Sequence, residues 1–179
     1  MREAQKVWDA PVRLLHWALA AAVGIAWFAG EGALSVHEMA GYVALALVAA
    51  RWAWGWRGGR FARFGQFVRA PGVVGRYALD VARHREQRHL GHNPLGGWMV
   101  VALLAAVAAV GTTGWLYTLD RFWGVAWLEA LHRTLAWGLM ALVALHVAGV
   151  VFTGRRHREN LVTAMLTGRK RPAGEDDVV

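Results

Sequence analysis

The stretch LEALHRTLAWGLMALVALHVAGVVF, residues 128–152, is apolar enough to lie in lipid, yet it holds two histidines, His132 and His146. A bilayer's hydrocarbon core is roughly 30 Å thick and a helix rises about 1.5 Å per residue, so about 20 apolar residues cross it. Three further runs of this kind occur, at 12–29, 37–56 and 95–117. Composition agrees: of 179 residues, 56% are hydrophobic and only 18% charged. The first run lacks a convincing small-residue cleavage site and three more follow it, so it reads as a retained helix and not as a signal peptide. There is no cysteine, which excludes disulfides, iron–sulfur clusters and covalent attachment of c-type haem.

The net charge of +8 invites a nucleic-acid reading that its distribution rejects. Arg2, Lys6 and Arg13 precede or open the first run, and Arg51 lies near the end of the second. Eight arginines fill the segment from 57 to 94, and six basic residues follow the fourth run. Only Arg121 and Arg133 fall on the other side. The positive-inside rule therefore places both termini and the 57–94 segment in the cytoplasm. The connections at 30–36 and 118–127 are short, so consecutive helices are antiparallel neighbours. The expected fold is an all-α membrane protein: a four-transmembrane-helix up-down bundle with both termini cytoplasmic.

Tryptophans fall where aromatic belts belong, with Trp52, Trp54, Trp56 and Trp98 at the inner edge and Trp115, Trp123 and Trp127 at the outer. The inner segment holds VVGRYALDVARHREQ (73–87), whose spacing predicts a short helix lying on anionic lipid. A second short helix is predicted in RENLVTAMLTG (158–168), ended by Gly168. The tail RKRPAGEDDVV reads as disordered.

Eight histidines must be sorted. His84, His89 and His157 lie in basic stretches and read as solvated surface. His92 belongs to GHNPLGG, where Asn93 and Pro94 suit an N-cap and a first helical position. His16, His37, His132 and His146 lie within or at the ends of the apolar runs, where an ionisable side chain marks function by default. The competing reading is plain hydrogen bonding between helices. His132 and His146 are fourteen positions apart. Fourteen helical steps return the second ring to within about 40° of the first, roughly 21 Å along the axis. Two ligands so separated serve two centres, one toward each face. Antiparallel topology supplies the partners: His16 is level with His146 near the cytoplasmic side, and His37 is level with His132 near the outer side. Paired imidazoles on different helices suit bis-histidine haem b, whereas zinc wants three or four close ligands.

Gly41, one turn from His37, gives either clearance for a flat ring or ordinary small-residue packing. Arg13 and Arg51 at the inner level, and Arg133 and Arg121 at the outer, suit either haem propionates or snorkelling to headgroups. Glu31, Glu38 and Glu129 read as a solvated outer rim. Few other polar groups interrupt the runs, which counts against the alternative of a non-redox scaffold or a histidine-lined transporter.

In order along the chain, RLLHW (13–17), HEMAGY (37–42), RWAWGW (51–56), GHNPLGGW (91–98) and the two histidines of the fourth run form a recognisable set. The chain resembles the prokaryotic di-haem cytochrome b561 family, which includes the b-type cytochrome subunit of nickel–iron hydrogenases. The resemblance runs from VWDAPVRLLHW to ENLVTAMLTGRKR. It implies a di-haem domain over 1–157, with an amphipathic segment and basic tail at 158–179. It implies two haem b groups, on His16 with His146 and on His37 with His132, in agreement with the depth argument. It also implies electron transfer in a bacterial inner membrane, between quinone and a redox partner such as a hydrogenase or dehydrogenase subunit. The short outer loops suit a small cytochrome c as partner equally well. By analogy with formate dehydrogenase b-type subunits, a quinone site is expected around Trp17, His92, Asn93 and Arg51.

Overall fold

The computed structural model describes residues 4–30 and 32–179; Arg2 and Glu31 lie outside the described residues. The chain runs β1 (Gln5–Lys6), α1 (Ala10–Ala29), α2 (Leu34–Arg57), a single 3-10 turn, α3 (Phe64–Phe67), α4 (Pro71–Ala82), α5 (Pro94–Tyr117), α6 (Ala126–Arg156), α7 (Leu161–Thr167) and β2 (Arg169–Lys170). It is mostly helical, and each apolar run lies within one long helix. Three of these, α1, α5 and α6, are long and apolar enough to cross a membrane. The fourth, α2, has the length, but His37, Glu38 and Arg51 dilute its apolarity.

Local chemistry explains the helix ends. Asp9 caps α1 by accepting from Val12 N at 2.9 Å, while its other oxygen accepts from Trp54 Nε1 at 3.1 Å. Asn93 caps α5 by accepting from Gly96 N at 2.7 Å, with Pro94 as the first helical residue. Asn160 caps α7 through Thr163 N, and Gly168 ends it at φ +80°, as the sequence predicts. The predicted helix after Pro71 is present as α4.

The residues group into two compact units. The first, Leu14–Ala53 with Ala102–Ala144, holds parts of all four long helices. Within it α1 meets α6 through Trp27 and Trp137, whose ring centroids are 4.9 Å apart. Helix α2 meets α5 where Tyr42 and Thr118 share a hydroxyl hydrogen bond of 3.2 Å. At Gly111 the α5 backbone comes close to the Leu45 side chain of α2, since an added Cβ would sit 2.6 Å from Leu45 Cγ.

The second unit comprises the segment ending at Arg13, Trp54–Val101 and Leu145–Val179. Its core is Val7, Trp8, Val12, Phe61, Ala62, Leu90 and Ala164. Strands β1 and β2 pair antiparallel, Gln5 with Lys170 and Lys6 with Arg169. Here the structure corrects the expectation of a disordered tail. Leu90 N donates to Val178 O at 2.9 Å, and Val178 N to Arg88 O at 2.8 Å. Arg88 also bonds Asp177, pairs with Glu159 at 2.6 Å, and donates to Arg171 O at 3.0 Å. Lys170 lies 3.5 Å from Glu159. The acids of the tail and of the segment before α7 thus find a buried guanidinium, and the tail is held. Burial pushes the Glu159 carboxyl up, but Arg88 and Lys170 outweigh it and hold it below the usual carboxylate range. Asp177 is likewise lowered, where burial is outweighed by the Gly174 amide and Arg88.

Candidate cofactor site

His37 stands in the first turn of α2, with Nδ1 2.8 Å from Ala26 O of α1. His132 stands in the second turn of α6, with Nδ1 3.1 Å from both Val110 O and Thr113 Oγ1 of α5. A carbonyl oxygen can only accept, so each Nδ1 carries a proton, and Nε2 is the nitrogen available to a metal. This is the arrangement by which proteins orient imidazole ligands and fix their tautomer. Both rings are half-buried, with centroids 6.1 Å apart and planes crossing at 78°.

That separation can be tested against a shared iron. Two imidazoles bound through one nitrogen each, at about 2 Å, have centroids roughly 6 Å apart. The pair fits. The surroundings fit as well: Gly114 lies flat against His132, where an added Cβ would come 3.0 Å from Cε1. At Gly41, one turn beyond His37, an added Cβ would meet nothing within 4 Å. The model of the prokaryotic cytochrome b561 family matches residues 7–168.

The chain belongs to that family. Neither a curated protein nor a solved structure gives a match. Members of the cytochrome b561 family are membrane b-type cytochromes; they bind haem b and transfer electrons.

As a cytochrome b561 family member, the chain places its other candidates as follows. His16 is half-buried in α1, edge-on to Trp17 at 4.9 Å, and Trp17 is itself 41% exposed. His146 is half-buried in α6. His16 belongs to the first unit and His146 to the second. Arg51 is buried within α2, at 7% exposure. Arg13 donates to Leu166 O at the end of α7. Arg133 is exposed and pairs with Glu129 at 2.6 Å, one turn earlier. Arg121 lies over the Phe122 ring at 5.7 Å.

The two remaining quinone candidates carry structural work. The His92 ring sits between Trp8 and Phe67, at centroid distances of 4.7 and 4.6 Å. Asn93 caps α5 and hydrogen-bonds Tyr77, whose hydroxyl burial pushes up to about 12, with Glu86 adding to the rise. Of the other histidines, His89 meets Tyr77 edge-on at 5.3 Å, and burial lowers its pKa. Thr113 and Gly114 escaped the sequence reading. The signal available for them was GTTGW (111–115), a polar and small cluster inside an apolar run.

Proposed function

We propose that the chain is a di-haem b-type cytochrome of the bacterial inner membrane, passing electrons between the quinone pool and a redox partner protein. The partner is a hydrogenase or dehydrogenase subunit or a cytochrome c. The observation that carries this reading is the His37–His132 pair, 6.1 Å apart with both Nδ1 atoms committed to backbone carbonyls. These two residues would hold one haem. His16 and His146 are assigned to the second on the sequence reading alone. Bound haem supplies one-electron exchange at its iron. The protein's part is to present two neutral Nε2 atoms, hold the rings by their Nδ1 bonds, and surround them with apolar helix so that the site stays dry.

The same reading has α2 as a fourth crossing and both ends in the cytoplasm. Pairing of β1 with β2 supports it, because residues 5–6 and 169–170 share one small sheet. An odd number of crossings would put them on opposite sides of the bilayer. An even number needs α2.

A dithionite-reduced-minus-oxidised spectrum, with haem counted as pyridine haemochrome, tests the proposal. Two haems b per chain are expected, falling to one in His37→Ala and to one in His16→Ala. A folded, colourless protein made with ample haem would overturn it and return the histidines to a scaffold or transporter role.

A further inference from the structure

The segment after α2 folds back to shape an open groove of about 410 Å³, lined by Gly55, Trp56, Arg60, Arg63, Gly65 and Gln66. None of the four candidate haem ligands lines it. Its contents are chemically distinctive. Trp56 is 70% exposed and forms an open aromatic wall. Arg63 donates Nε to Gly58 O at 2.8 Å, which orients its guanidinium and leaves the terminal amines for a ligand. The Arg60 guanidinium lies over the Phe61 ring at 5.5 Å, so its position is also set. Gln66 Oε1 is buried and accepts no hydrogen bond. That oxygen lies beside Gly91, where an added Cβ would come 3.1 Å from it, and not at the open face. At Gly65 an added Cβ would meet nothing within 4 Å, so the floor is open.

Two guanidiniums beside an exposed aromatic wall suit a ligand with an anionic phosphodiester and a hydrocarbon part. We infer that this groove seats the headgroup of an anionic phospholipid, with the phosphodiester on Arg60 and Arg63 and the hydrocarbon against Trp56. Free phosphate would leave the wall and Trp56 unused. The inference rests on the topology proposed above, in which α2 crosses the bilayer and Trp56 and Arg57 end it among headgroups on the cytoplasmic side. Anionic lipid is the expected company for such a basic, juxtamembrane segment.

The test is native mass spectrometry of the delipidated holoprotein, offered phosphatidylglycerol or phosphatidylcholine. One phosphatidylglycerol per chain is expected, retained at least tenfold over phosphatidylcholine. Arg60→Gln with Arg63→Gln should cut retention tenfold or more. Equal retention of phosphatidylcholine, variants that bind like wild type, or displacement by millimolar inorganic phosphate would each overturn the lipid site. Haem is counted on the same samples. Full haem without lipid selectivity sinks this inference alone, whereas absent haem sinks the electron-transfer reading.

Discussion

The two units of this chain are held together differently. The unit that holds His37 and His132 leaves large apolar side chains outside: Met39 is 64% exposed, Trp137 63% and Ile25 51%. Lipid is as apolar as these groups, so burying them against one another brings no hydrophobic gain. What joins its helices is specific: imidazole to carbonyl, hydroxyl to hydroxyl, and backbone against side chain at Gly111 and Gly114. The unit that holds Arg88 also exposes apolar side chains, Trp56 and Leu145 among them, but adds a core and a charge cluster. Leu90, Phe67 and Trp8 are buried, and two carboxylates and an ammonium gather around one guanidinium. One polypeptide thus joins its long helices by polar contacts in one unit and gathers a charge cluster on a small apolar core in the other.

The largest expected effect separates the two directly. His132→Ala removes one ring of the 6.1 Å pair and should take haem from two per chain to one by pyridine haemochrome. Unchanged haem would reduce the pair to an interhelical contact. Next comes Arg88→Met, which strands Glu159 and Asp177 at 8% and 12% side-chain exposure. Removing one partner of a buried ion pair costs about 3–5 kcal/mol. The thermal midpoint in detergent should fall by several degrees while haem per chain stays constant; loss of haem as well would end the contrast drawn here.

The carboxylates also make that unit acid-sensitive. Glu159 and Asp177 are held below their ordinary values, since Arg88 and its neighbours outweigh the opposing effect of burial. Their stabilisation is therefore complete above the unfolded carboxylate pKa, near ~4, and drains away as pH falls through the lowered values. The midpoint measured against pH should drop in that acid window and flatten in Glu159→Gln. A wild-type midpoint that holds steady down to pH ~3 would contradict this.

Smaller effects sharpen the contrast. Thr113→Val removes the hydroxyl 3.1 Å from His132 Nδ1 but leaves Val110 O in place. Loss of an orienting contact to a ligand typically weakens metal affinity 10–100-fold, and with one acceptor surviving the low end, ~10-fold, is expected in haem transfer to apomyoglobin. Smallest is Asn160→Ala, which uncaps α7 and should cost about 1 kcal/mol, read as a slightly lower midpoint with haem unaffected.

Much of this was legible in the chain. Four apolar runs foretold four long helices, because a helix in lipid must be apolar over its full length. The partnership of His37 with His132 followed from antiparallel direction and depth. The atoms that aim those rings were not legible, since Ala26 O and Val110 O are backbone carbonyls and every residue has one. The tail misled for another reason. RKRPAGEDDVV is polar and carries proline and glycine, the marks of disorder, and its partner Arg88 lies far back in sequence among seven other arginines of the same segment. Composition cannot tell which of eight identical charges is buried. The apolarity of α2 was diluted by His37, Glu38 and Arg51.

The pairing of Gln5 with Lys170, and of Trp8 with Ala164 in one core, also sets an order of events. Contacts so distant along the chain close late, after the intervening loop entropy has been met. Synthesis delivers α1 to the bilayer long before Ala164 and Lys170 exist. The long helices must therefore enter the membrane while the other unit is still open, its Trp8 and Phe61 exposed and awaiting the far end of the chain. The strap is made last, and a ribosome stalled before α7 would leave a membrane-inserted chain that cannot yet close it.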